Sequence, residues 1–402
     1  MTNKTDLEGS RKVRKRHPLL ITATILWALL TALVLVCMVL PTMPNAGLFT
    51  VSVLAYTYNP FLLMLVLFGA VLLVLAWRRR LRATSTIAAV LTVGVIVAVA
   101  IPTVRLVDVA NENDVTLSAA QLFQGPEGGL TEPSDTSVYT SVDGEDLKMD
   151  VWEPATQAEA NNAALIYVYG GGFESGTRER WAPYFQHLTS QGITVFAMDY
   201  RLSTPEDPSW DEAASDVTCA VGWVHQNADR YGVDSERLAI SGGSAGGNLA
   251  LLAAYASSAN ADTIEPSCDV EDTSVRAVVD FYGPSDLANL HAGTPSTPVR
   301  ASLEQYLGGT PEEQPERYRD LSPITYVDEN APPTLIIQGL RDTGVQSEES
   351  TNLADRLDAA GVDNELLLLP NTEHGFDAAF GSFANQISQE RISEFLQEHL
   401  ID

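Results

Sequence analysis

Residues 240–249, ISGGSAGGNL, surround Ser244 with four glycines and an alanine, directly after a short apolar run and before a helix-like one. Three uses fit such a stretch: a glycine-rich anion cradle, a tight strand-to-helix joint, or a turn that pushes a nucleophilic hydroxyl into a cleft. Gly242 to Gly246 spell G-x-S-x-G. The string alone is frequent by chance, and its position between a strand and a helix is what gives it weight. Small flanking residues let strand and helix pass closely, and the amide of Ala245 at the helix start faces the same space, ready to donate to an oxyanion.

Working outward, strand-like and helix-like runs alternate. SVYTSV and LKMDVW read as an initial antiparallel pair, and ALIYVYG, TVFAMDY, RLAISG, VRAVVDFYG, PTLIIQG and ELLLLP as buried strands. Helical patterns occupy Glu212 to Arg230, Ala245 to Ser257, Glu348 to Ala360 and Gln386 to Leu400. This predicts an α/β fold, a mostly parallel central sheet with helices on both faces. Ser285 to Pro332, the longest stretch without a strong strand, is a candidate lid.

In such sheets reacting groups gather in loops at the carboxyl ends of the strands. Three more of those loops carry chemistry. In YGGGF, three glycines leave the amides of Gly171 and Gly172 unshielded and able to close on negative charge; a flexible turn or phosphate nest is the competing use. Asp342, in GLRD after PTLIIQ, is placed to fix an imidazole's tautomer. His374, in EHGF after ELLLLP, titrates near neutrality and suits proton transfer with Ser244. Of the six histidines it alone follows a strand end late in the chain. The order Ser244, Asp342, His374 is the one expected of a serine hydrolase on this kind of sheet.

The composition splits near residue 105. Residues 1–104 hold ten Lys/Arg and two Asp/Glu, and the remainder fourteen against fifty, for a net charge of −28. So acidic a domain repels nucleic acid. Lysine occurs only at Lys4, Lys12, Lys15 and Lys148, and no GxxxxGK[ST] string exists, which excludes a Walker-type nucleotide site. Metal is not expected either: Cys219 and Cys268 have no histidine pair nearby. They are instead the one possible disulfide of the outer domain, with two unrelated thiols as the alternative.

Three apolar runs, Leu19 to Leu40, Phe61 to Trp77 and about Thr84 to Val104, predict three transmembrane helices. Basic clusters at Arg11 to His17 and Arg78 to Arg82 flank a loop, Pro41 to Pro60, without Lys or Arg, so the N-terminus is predicted cytoplasmic and the C-terminal domain extracytoplasmic. The expected organisation is a basic tail (1–18), a three-span region (19–104), a linker (105–136) and a catalytic domain (137–402).

With YGGGF, DYRL, SGGSAGGNLA, FYGPSDL, GLRD and EHGF in this order, the chain from Ser137 to Asp402 resembles the α/β-hydrolase fold, in particular esterases of the hormone-sensitive-lipase and feruloyl-esterase-like groups. The resemblance implies Ser244 as nucleophile, His374 as base, Asp342 as acid, and Gly171, Gly172 and Ala245 as oxyanion donors, with no cofactor. Tyr169 stands where the family usually has histidine before its glycines. The expected activity is acyl-ester hydrolysis on a small-molecule or lipid-like substrate at a membrane. Amide or peptide cleavage, acyl transfer and a non-catalytic, membrane-tethered binding domain are the rival readings. Trp181, Trp210 and Phe376 are candidates for an acyl pocket, with plain packing as the competing role.

Overall fold

A computed structural model of the chain describes residues 17–39, 51, 62–124, 131–142, 144–156 and 160–402. The basic tail before His17 and nearly all of the Pro41 to Pro60 loop lie outside the described residues. The chain divides into two compact units: residues 1–36 with 61–99, and residues 37–60 with 100–402.

The first unit contains helices α1 (Pro18–Val39) and α2 (Leu63–Arg78) and the start of α3 (Arg82–Glu112). Trp27, Leu72 and Ala88 are buried together, and the Trp27 indole donates to the Leu65 carbonyl at 3.2 Å. The remaining faces are apolar yet exposed, as at Leu26, Met64, Leu67 and Val90. α1 and α3 are long and apolar enough to cross a membrane. The expectation of three spans is corrected at α2: its 16 residues reach only ~24 Å at the α-helical rise, less than a hydrocarbon core of about 30 Å.

The second unit begins inside α3. The expected linker is corrected too, because its first half is packed rather than free. Ala110 and Val115 are buried in the core of this unit. The Ser118 amide donates to Gln386 Oε1 at 2.8 Å, and Gln386 Nε2 returns a bond to the Ser118 carbonyl at 2.9 Å. Apolar residues at Leu106, Val109, Ala110 and Val115 give this stretch a face to bury, and Gln386 satisfies the backbone where the helix has ended.

The strands follow: β1 (Asp135–Val142), β2 (Glu145–Trp152), β3 (Ala164–Val168), β4 (Thr194–Met198), β5 (Leu238–Gly243), β6 (Ala277–Phe281), β7 (Thr334–Gly339) and β8 (Asn364–Leu369). They form one sheet in the order β1-β2-β4-β3-β5-β6-β7-β8. β1/β2 and β2/β4 are antiparallel, and all other pairs are parallel. Every residue of β3 to β7 is buried, so both faces are covered, which is why these strands read as continuous apolar runs. The cover comes from α4 (Ala182–Ser190), α5 (Ala213–Tyr231), α6 (Ala245–Ser258), α10 (Ser347–Ala360) and α11 (Phe383–Leu396). Between β6 and β7 the predicted lid stretch folds into α7 (Leu287–Gly293), α8 (Thr297–Leu307) and α9 (Pro315–Asp320). Cys219 on α5 is joined to Cys268 by a disulfide, with Cα atoms 5.5 Å apart.

Candidate active site

Ser244 lies between β5 and α6 with φ 57° and ψ −124°. A non-glycine residue there is strained by about 1–3 kcal/mol, so the surroundings must hold it. The Ser244 amide donates to the Phe281 carbonyl at 2.9 Å, which ties the turn to the end of β6. Gly246 must be glycine, because a Cβ there would collide with the carbonyls of Val168 and Tyr169. The turn thus aims the Ser244 side chain outward while strand and helix stay in contact.

His374, 130 residues away in sequence, places Nε2 2.9 Å from Ser244 Oγ, and its Nδ1 lies 2.7 Å from Asp342 Oδ2. The Asp342 side chain is fully buried. Its Oδ1 accepts from the amides of Gly344 and Val345, both at 2.8 Å, and its Oδ2 also accepts from Gln338 Nε2 at 3.3 Å. Three N–H donors and an imidazole therefore orient one carboxylate. Burial opposes a charge on His374, but the carboxylates of Asp342, Glu373 and Asp377 outweigh it and raise the imidazole above its ordinary value.

The loops bearing Asp342 and His374 are fastened to each other. The Arg341 amide donates to the Thr372 carbonyl at 3.0 Å. Glu373 accepts from the Thr343 amide at 2.6 Å, the Thr343 hydroxyl at 2.9 Å and the His374 amide at 3.2 Å. Burial, reinforced by Asp342, raises the Glu373 carboxyl.

Gly171, Gly172 and Ala245 line the same cavity as Ser244 and His374, a space of about 460 Å³. Gly172 has φ +65°, and the Gly171 carbonyl is engaged inside the turn by the amides of Glu174 and Ser175. Phe173 stacks on Tyr306 of α8 with centroids 3.9 Å apart, which joins the glycine loop to the lid helices. The rest of the cavity is mainly apolar, with Trp181, Leu290, Pro298, Val299, Leu303 and Val345. Tyr169 does not enter it: the ring is buried against Tyr200, centroids 4.5 Å apart, and Tyr200 donates its hydroxyl to the Tyr169 carbonyl at 2.9 Å. Of the three aromatic candidates only Trp181 lines the cavity. Phe376 is buried beside Phe281 and Tyr282, and Trp210 lies in a separate cleft under the Arg317 guanidinium.

Sequence reasoning missed Tyr282 and Asp377. Tyr282 follows β6 with φ 44°, lies 4.6 Å from the His374 ring and donates its hydroxyl to Asp377. Burial pushes the Asp377 carboxyl up to about 6. Their signal was present in FYGPSDL and in the acid three residues beyond His374, but nothing in one chain ties them together.

The BD-FAE family profile matches residues 149–357, just over half of the chain. The chain belongs to the BD-FAE family. Among curated relatives of this BD-FAE chain, esterase LipC of Mycobacterium tuberculosis is 32% identical over 273 residues, covering 62% of this chain and 64% of LipC. Ethyl acetate hydrolase of Pseudomonas putida is 29% identical, covering 68% of this chain and 86% of its own. The match spans less than two thirds of LipC, and of esterase LipQ from the same organism it spans 59%. Esterase 2 of Thermogutta terrifontis, phosphonylated by sarin, superposes with a TM-score of 0.57 at 27% identity, covering 66% of this chain and 94% of that one. The second unit therefore has the α/β-hydrolase fold.

Proposed function

We propose that this chain is a membrane-anchored carboxylic ester hydrolase in which Ser244 is the nucleophile, His374 the general base and acid, and Asp342 the residue that orients and stabilises the imidazolium. The observation that carries the reading is the unbroken contact from Ser244 Oγ through both nitrogens of His374 to Asp342, opening on an apolar cavity. The esterases among its relatives and structural neighbours support the ester as the bond cleaved.

In this mechanism Ser244 attacks the ester carbonyl as His374 Nε2 takes its proton. The amides of Gly171, Gly172 and Ala245 receive the oxyanion, and His374 returns the proton to the departing alcohol. Water then enters, gives a proton to His374 and attacks the acyl-serine, which releases the acid and restores Ser244. The proton held on His374 is favoured by the surrounding carboxylates, which lower the barrier to the charged pair. Removing Ser244 tests the assignment: Ser244→Ala should fold and lose ester turnover.

The anchor is proposed from α1 and α3, whose exposed apolar faces suit lipid. Arg78, Arg79, Arg80 and Arg82 precede or begin α3, whereas Asp108 and Glu112 end it, which favours its start in the cytoplasm and the catalytic unit outside; with α1 and α3 as the two spans the N-terminus then shares that outer side, against the cytoplasmic N-terminus expected from three spans. The Cys219–Cys268 disulfide supports the same, oxidising side. Carbonate extraction of membranes checks the anchor, and protease accessibility of the catalytic unit in intact cells checks the side.

A further inference from the structure

Among the described residues lining the active-site cavity, Arg180 is the one arginine or lysine. Its neighbour Arg178, two residues earlier, is neutralised on both sides, by Asp150 at 2.9 Å and Asp199 at 2.7 Å. Arg201 is likewise matched by Glu212 and Asp216, each at 2.8 Å. Arg180 is different: its guanidinium lies 5.4 Å over the Trp181 ring at the cavity, and no described carboxylate is within ion-pair distance. Glu174 in the cavity wall and Asp377, which the Arg180 charge reaches without an ion pair, are engaged by other donors. Glu174 accepts from Ser302 and Gln305, each at 3.1 Å, and Asp377 accepts from Tyr282.

In a domain with fifty acids for fourteen bases, carboxylates to pair with an arginine are abundant. Leaving this one exposed beside Ser244 and His374 provides a fixed donor fork in a mainly apolar wall. Stacking on Trp181 limits its rotamers, so little order is lost when an anion binds. The net negative charge of residues 105–402 disfavours anions at long range, so recognition of one must be local.

We propose, resting on the ester-hydrolase reading, that the site takes esters whose acyl or alcohol part carries an anionic group, a carboxylate or phosphate, held by Arg180 while the apolar wall takes the remainder.

The test uses the full chain in detergent and two substrate pairs that differ in one charge. For the acyl side the pair is 4-nitrophenyl hexanoate and the mono-4-nitrophenyl ester of adipic acid. For the alcohol side it is the hexanoate esters of 4-hydroxybenzoate and of methyl 4-hydroxybenzoate. In Arg180→Gln the ratio of kcat/KM for the anionic over the neutral member should fall about tenfold in one pair. Arg180→Glu should lower it further, Arg180→Lys should recover part of it, and added salt should shrink the wild-type ratio. A ratio that stays the same in both pairs, or losses that run in parallel for neutral and anionic esters, makes Arg180 an ordinary solvated arginine and overturns the proposal. If the wild type turns over none of the four esters, the ester-hydrolase reading itself falls and this inference falls with it.

Discussion

Tyr282 lies against His374, ring centroids 4.6 Å apart, and donates its hydroxyl to Asp377. Asp377 is a third carboxylate acting on the imidazole, after Asp342 and Glu373, and its charge favours the protonated ring. Catalysis needs the neutral ring, so kcat/KM should fall as pH drops through the raised His374 value. Asp377→Asn removes one of the charges that raise it. The acidic limb of the pH profile should then move to lower pH. An unmoved limb would mean that Asp377 does not act on His374.

Gly246 carries the close approach of α6 to β3. Glycine to alanine inside a helix ordinarily stabilises by about 0.5–1 kcal/mol. Here the added methyl meets the Val168 and Tyr169 carbonyls, so Gly246→Ala should destabilise by roughly 1–3 kcal/mol. Thermal unfolding distinguishes the two signs.

The segment after α3 belongs to the second unit. Val115 is 8% exposed, and Ser118 is bonded at both backbone groups to Gln386. Val115→Asp should cost about 2 kcal/mol, because a charge replaces a buried apolar side chain. Urea unfolding of the mutant and wild type checks this; no change in midpoint would mean the segment is only loosely laid on the surface.

The Cys219–Cys268 bond closes a loop with a sequence separation of 49. In the chain-entropy picture that contributes about 4 kcal/mol. Intact mass under non-reducing conditions should be lower by two hydrogen atoms than the reduced thiol form, and Cys268→Ser should lower the unfolding midpoint.

The sheet was legible because β3 to β7 are buried on both faces, which leaves uninterrupted apolar runs, and the loops after β3, β5, β7 and β8 carry chemistry. Ser244, Asp342 and His374 could be read from those loop positions and from chain order. Two features were not legible for physical reasons. The docking of Ser118 depends on Gln386, far along the chain, so a polar stretch that runs into the Gly/Pro-dotted residues 125–136 reads as a linker until its partner is in place. Apolarity alone does not fix helix ends, so the run Phe61 to Trp77 reads as a span although its helix is 16 residues long. Tyr282 and Asp377 are quiet in sequence because their role comes from a ring contact and one hydrogen bond between separate loops.

The most direct measurement compares the full chain in detergent with folded Ser244→Ala for hydrolysis of 4-nitrophenyl butyrate and for labelling by a fluorophosphonate. The account predicts turnover and single-site labelling in the wild type, with labelling absent and kcat lower by roughly a millionfold in the mutant. Turnover or labelling that survives in Ser244→Ala would contradict it.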